Sequence, residues 1–148
     1  MDLAFLLAHA SHVLSTELTA ELAGLGITPR GNCVLSAALD GERTQIQLAE
    51  TCGLDKTTMV VTVDELEKAG LVERRTSATD RRARIIVVTA QGREVHAKAA
   101  DVVARVYEDV LSALPSAERK GLVEGLTRLV DTRLSTPVAC QRAPRRRM

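Results

Sequence analysis

The sequence predicts a mainly α-helical fold carrying one small β-hairpin. Apolar residues recur at three- and four-residue spacing along most of the chain, and Gly or Pro punctuates these stretches at intervals suited to short helices. The periodicity changes once, after Gly70, to two short runs of β-branched and charged residues. With 148 residues the chain is long enough to close a hydrophobic core, and 45% apolar with 26% charged residues is a globular composition.

The first helix is expected over Leu3, Leu6, Leu7, Ala10, Val13, Leu14, Leu18 and Leu22, stopped by Gly24-Leu25-Gly26. Thr28-Pro29 supplies an N-cap and a first-turn proline for a second helix ending near Asp40-Gly41. A short third helix spans Thr44 to Cys52, with Ile46, Leu48 and Ala49 available for burial, and Gly53 breaks it. Asp55 caps a fourth helix that runs to Ala69. Leu71 to Arg75 and Ile85 to Thr89 form the hairpin, joined by a polar tip from Thr76 to Arg84. A fifth helix from Ala90 to Ala113 has Val95, Ala99, Val102, Val103, Val106 and Val110 on one stripe. Pro115-Ser116 starts a sixth, with Leu122, Leu126, Leu129, Val130 and Leu134.

Helix, glycine turn, helix, hairpin is the order of a winged helix-turn-helix. Ala49 permits a close helix crossing and Gly53 accepts the backbone geometry of the turn. The second helix of the pair can then enter a major groove with its N-terminal turn toward the bases. In that helix Met59, Val63 and Leu66 form a core stripe, leaving Lys56, Thr57, Thr58 and Val61 toward the groove, where hydroxyls and methyls can meet base edges and phosphates.

Charge distribution supports this reading. The formal net charge is only +1, but residues 74–93 carry six positive and one negative charge, and the last seven residues carry four positive and none negative. Residues 1–73 are acidic, with four positive and eleven negative charges. An anionic polymer responds to such local concentration rather than to the sum. Asp80-Arg81-Arg82-Ala83-Arg84 places three guanidinium groups on the hairpin tip, where they can enter a minor groove or pair with phosphates. Asp80 is expected to orient a neighbouring arginine by a charge-assisted hydrogen bond. Asp64, Glu65 and Glu67 must face away from phosphates or be paired internally. With one Phe, one Tyr and no Trp, recognition that depends on base stacking is disfavoured.

Asp55 to Arg75, followed by Thr79-Asp80-Arg81-Arg82-Ala83-Arg84-Ile85-Ile86-Val87-Val88-Thr89-Ala90-Gln91-Gly92, resembles the multiple-antibiotic-resistance regulator (MarR) family in its Leu-Glu-x-x-Gly-Leu-Val segment, its Asp-x-Arg wing and its Val-Thr-x-x-Gly entry to the next helix. The six-helix layout is similar over roughly residues 1–135. The resemblance implies a homodimer with interlocking first, fifth and sixth helices and two winged lobes reading a palindromic double-stranded DNA operator, more often as repressor than activator. Asp80 and Arg82 occupy the family's wing positions. Val60-Val61 stands where many members have an arginine or another polar residue, which shifts weight from base readout to the wing and to phosphate contacts. The candidate DNA contacts are Thr44, Gln45, Lys56, Thr57, Thr58, Val61, Arg75, Arg81, Arg82 and Arg84, with Asp80 orienting the wing. The expected organisation is an N-terminal dimerisation helix over 1–27, a DNA-binding domain over 28–92, dimerisation helices over 93–135 and a disordered basic tail over 136–148.

Members of the family often respond to small molecules, metals or oxidants near the cleft between dimer helices and DNA lobe. The candidate effector residues are His9, His12, Arg30 and Cys33. A metal- or redox-responsive regulator using His9, His12 and Cys33 is the alternative within this class, but no third ligand follows the two histidines at a fixed local spacing, and no metal or cofactor is assigned. Cys33 is expected to be a small buried residue. Cys33, Cys52 and Cys140 show no paired spacing, so no disulfide framework is expected. A winged-helix protein-interaction module without DNA binding is the competing class. An enzyme is disfavoured because no nucleophile, base and orienting acid are grouped and no phosphate loop appears. No apolar run reaches the roughly 18 residues of a membrane span, and Met1 to Leu14 lacks the basic start of a secretory signal, which reads as the first helix of a cytoplasmic protein.

Overall fold

Residues 1–136 are described by the computed structural model of the chain. Apart from Thr136, the expected tail, with Cys140, Arg142, Arg145, Arg146 and Arg147, lies outside the described residues. The elements follow the order α1 (Leu3–Leu22), a 3₁₀ turn (Ala23–Leu25), α2 (Pro29–Leu39), β1 (Arg43–Thr44), α3 (Gln45–Cys52), α4 (Lys56–Lys68), β2 (Val72–Thr76), β3 (Arg84–Val88), α5 (Ala90–Ser112) and α6 (Ser116–Asp131).

Side-chain caps set several of the helix starts. Orphan N–H groups at a helix N-terminus need acceptors. Thr28 Oγ1 accepts from Gly31 N–H at 3.0 Å, and Asp55 Oδ1 accepts from Thr58 N–H at 2.9 Å. Thr44 and Gln47 form a reciprocal capping box: Thr44 N–H donates to Gln47 Oε1 at 2.8 Å and Gln47 N–H to Thr44 Oγ1 at 3.3 Å. Between α3 and α4, Gly53 takes φ +63°, a left-handed geometry that costs glycine nothing and lets Leu54 N–H close on Ala49 O at 2.9 Å.

The sheet is antiparallel with order β1-β3-β2. The hairpin pairs Val72 with Val88 and Thr76 with Arg84, one residue along from the expected strands. A third strand was not expected: Arg43 and Thr44 pair with Ile86 and Ile85 on the other edge of β3. Two residues are too few to carry an alternation, so only the free edge of β3 makes them a strand.

The chain divides into two compact units, Met1–Tyr107 and the residues from Glu108 on. The core of the first is aliphatic and joins Leu22, Val34, Leu35 and Leu48 to Met59, Val63, Leu66, Val72 and Ile86. Complete burial of such a side chain contributes about 1.5–3 kcal/mol. Met59, Val63 and Leu66 are buried as the stripe in α4 requires. Ile46, expected to be buried, is 58% exposed, because Leu48 and Ala49, with Cys52 at the helix end, take the core face of this two-turn helix. At the hairpin base, Thr89 Oγ1 donates to Gly70 O at 2.7 Å and accepts from Gly92 N–H at 3.0 Å, joining the end of α4 to the start of α5.

Candidate nucleic-acid interface

The Asp55 cap presents the first turn of α4 to solvent, with Lys56 and Thr57 exposed. Thr58 is half-buried, and its hydroxyl donates to Asp55 Oδ2 at 2.6 Å. That hydroxyl hydrogen is therefore committed to the cap, and only its lone pairs remain for an incoming group. The Thr58 hydroxyl first, and the Thr58 N–H second, hold the Asp55 carboxyl below its ordinary pKa. One turn on, Val61 is 51% exposed and Val60 is exposed beside it, an apolar surface suited to thymine methyls rather than to hydrogen-bonded readout.

The acids of α4 are dealt with by a residue the sequence reading did not single out. Arg74, on β2, pairs through Nη2 with Asp64 Oδ1 at 2.5 Å and through Nη1 with Glu67, whose carboxylate also accepts the Arg74 N–H at 3.2 Å. Its Nη2 also lies 3.4 Å from Gln45 Oε1 on α3. One guanidinium thus ties α3, α4 and the wing together and neutralises two of the three carboxylates expected either to face away from phosphates or to be paired. Strand alternation carries the available signal: Arg74 shares the sheet face of buried Val72 and Ile86.

At the wing tip, Ser77 is buried and its hydroxyl accepts from Thr79 N–H at 3.2 Å, while Ser77 N–H donates to Ala83 O at 2.9 Å. Asp80 does organise the tip, but not through an arginine side chain. Its Oδ1 accepts the backbone N–H of Arg82 at 2.9 Å, and among the described residues it forms no ion pair. A short side chain satisfies a backbone donor two residues on more readily than it reaches a guanidinium that solvent also hydrates. Arg81, Arg82 and Arg84 are exposed, and none is in an ion pair among the described residues. Arg75 is different: it pairs with Glu73 on the same face of β2, so its charge is already partly balanced.

Thr44 and Gln45 are half-buried at the α3 N-terminus, occupied by the capping box and by Arg74 respectively. The structure therefore leaves Lys56, Thr57, Val61, Arg81, Arg82 and Arg84 exposed, with no side-chain hydrogen bond or ion pair among the described residues, and gives Thr44, Gln45, Thr58 and Arg75 intramolecular partners.

A cleft of about 380 Å³ opens against α2, lined by Leu18, Asn32, Cys33, Cys52, Val103 and Tyr107 among others. Of the four candidate effector residues only Cys33 lines it. His9 stacks on Phe5 with ring centroids 5.5 Å apart, and His9, His12 and Arg30 are exposed away from this lining. Cys33, expected to be buried, is exposed, because Val34, Leu35, Ala37 and Ala38 take the core face of α2 and turn Cys33 outward. His96 Nδ1 lies 3.0 Å from Asn32 Oδ1, joining α5 to α2 rather than meeting His9 and His12, and no group of three metal-ligating side chains occurs among the described residues. No described helix is long and apolar enough to cross a membrane.

Residues 25–83 match the family model described as MarR family. A solved structure of the transcriptional repressor CouR bound to a 23-mer DNA duplex is 30% identical, with 86% of this chain and 92% of that chain covered and a TM-score of 0.78. CouR from Rhodococcus jostii RHA1 bound to p-coumaroyl-CoA is 27% identical over 95% of this chain and 96% of that one, with a TM-score of 0.77. A MarR-family protein from Mycobacterium tuberculosis in complex with p-aminosalicylic acid is 26% identical over 87% and 98%, with a TM-score of 0.72.

Proposed function

The chain belongs to the MarR family of transcriptional regulators, and from that premise we propose that it is a cytoplasmic homodimeric repressor that binds a palindromic duplex and is released by a small-molecule effector. The observation that carries the DNA reading is the pairing of an exposed α4 face, whose acids Asp64 and Glu67 are taken up by Arg74, with a wing whose Arg81, Arg82 and Arg84 have no ion-pair partner among the described residues. Lys56, Thr57 and Val61 enter the major groove, and the wing arginines hold the flanking phosphates or minor groove. The 30% identical CouR, solved on a 23-mer duplex, supports the same use of this fold.

The homodimer is supported by apolar side chains that each unit leaves exposed: Leu3, Phe5, Leu6 and Val13 on α1, and Leu122, Val123, Leu126 and Val130 on α6. In this reading residues 1–27 and 93–135 are the dimerisation helices and 28–92 the DNA-binding domain. The effector occupies the cleft beside α2, whose lining of Leu18, Ala37, Val103 and Tyr107 with Asn32 and Ser36 suits an apolar body carrying a polar end. Similar proteins were solved with p-coumaroyl-CoA and with p-aminosalicylic acid, both aromatic. A ligand that prefers a lobe spacing other than one helical turn, ~34 Å, releases DNA by population shift.

The test is selection of duplexes from a random library by the purified protein. An enriched inverted repeat with half-site centres about 10 base pairs apart is expected. Arg82→Ala is expected to weaken binding to that duplex and to reduce the slope of log affinity against log salt by about 0.9 per lost phosphate contact, with the dimer intact. No enrichment at low salt would overturn the proposal in favour of a protein-interaction module.

A further inference from the structure

The face of α4 opposite its core stripe is built largely from methyl groups. Thr57, Val60, Val61 and Asp64 stand at i, i+3, i+4 and i+7 and so share one side of the helix, while Met59, Thr62, Val63 and Leu66 are buried on the other. Val60 is 41% and Val61 51% exposed, and Thr57 is exposed one turn before them. Few polar groups compete with these methyls. The Thr58 hydroxyl hydrogen goes to Asp55 Oδ2 at 2.6 Å, Asp64 is held by Arg74 Nη2 at 2.5 Å, and Glu65 borders a small hollow with Gly26, Thr28 and Gly31 at the start of α2. A valine in a helix keeps nearly a single χ1 rotamer, so its two methyls are already positioned and docking costs little side-chain entropy. Exposed, the two valines give α4 no burial and less intrinsic stability than alanine would, so the fold alone does not require them.

We propose that Thr57, Val60 and Val61 read the C5 methyl groups of pyrimidines in the major groove, so that the protein distinguishes thymine from uracil and 5-methylcytosine from cytosine, and its binding responds to cytosine methylation of the duplex. This rests on the DNA reading proposed above and names what α4 recognises there. The thymine methyl is the apolar group that base edges offer in the major groove. Charge around the stripe favours a nucleic acid over an apolar protein surface as its occupant. Lys56 precedes it in the first turn, and Arg81, Arg82 and Arg84, on the wing of the same compact unit, are exposed and form no ion pair among the described residues. From Thr57 to Val61 the helix advances ~6 Å at 1.5 Å per residue, the rise of about two base pairs, so one α4 covers methyls on one or two adjacent steps. Such a contact requires a methyl and no particular hydrogen-bonding edge. Thymine and 5-methylcytosine carry that methyl on the same ring carbon, and uracil and cytosine lack it.

The experiment uses the full chain and the selected duplex, titrated by fluorescence anisotropy. Each thymine of a half-site is replaced in turn by uracil, which removes the methyl and keeps every hydrogen-bonding group. Affinity is expected to fall about fourfold per methyl removed, the factor that burial of one such group contributes, at one or two adjacent positions of each half-site and nowhere else. At such a position cytosine should bind more weakly than 5-methylcytosine by a similar factor. Val60→Ala and Val61→Ala keep the helix, since alanine is the better helix former. At the position each valine covers, its variant should bind the uracil duplex as the wild type does and lose the preference for thymine. Thr57→Ser keeps the hydroxyl, loses the methyl and should do the same at its own position. Equal binding of thymine and uracil duplexes at every position, or a selected half-site without thymine, would overturn the proposal and leave the DNA reading standing. A uracil effect undiminished in all three variants would overturn it too, because the methyl would then be acting through duplex shape. No enrichment of any duplex would overturn both readings.

Discussion

Asp55 does two things with one carboxylate: it caps α4 through Thr58 N–H and holds the Thr58 hydroxyl. Because its pKa lies below the ordinary value when folded, its contribution to stability is present above about pH 4 and is lost as the pH falls through the depressed value. Asp55→Ala should therefore melt at a lower temperature than the wild type at neutral pH, and the gap should narrow in melts below pH 4. Gly92 is constrained more severely. A Cβ there would lie 2.1 Å from Leu71 O, a carbonyl already accepting Thr89 N–H at 3.0 Å. Gly92→Ala should cost about 3 kcal/mol, read as a lower urea midpoint, because backbone on both sides has no room to yield. The sequence pointed to Gly92 within a family motif but carried no sign of the carbonyl facing it, which is brought there by the closure of the hairpin.

Among the elements, α4 and the wing act as one piece because Arg74 bridges them. Arg74→Ala should lower stability by only about 1 kcal/mol, since the pairs are partly solvated. Its effect on duplex binding should be larger than that suggests, because Asp64 and Glu67 would be left unneutralised on the lobe proposed to face DNA. Arg74→Lys should fall between, keeping the charge but losing the two-armed geometry. Titration by fluorescence anisotropy with a labelled duplex, beside urea melts, separates the two effects. Helix limits were readable from caps and glycines, since these are local signals: Thr28, Asp55 and Gly53 act where expected, while Thr44, read as the first residue of the third helix, caps it instead. The strand at Arg43–Thr44 was not readable, because its partner is some forty residues away on β3.

The arrangement of exposed apolar groups is what the proposed homodimer would answer. In α6 no residue is buried, yet Leu122, Val123, Leu126, Leu129 and Val130 are all apolar. A helix that presents this surface to water is stable only when another surface covers it. For the proposed homodimer, Leu126→Asp should shift the protein to monomer in sedimentation velocity and weaken binding to a full palindrome far more than to a single half-site. The formal charge of +1 takes on meaning at the same level, as an acidic body whose positive charge is gathered on the wing. Periodicity, caps and charge runs are properties of neighbouring residues, so the helices, the hairpin, the core stripe of α4 and the basic wing could be read in order along the chain. Where Arg74 sends its guanidinium group was decided only by folding, because Asp64 on α4 and Gln45 on α3 are brought to it by packing between segments apart in sequence.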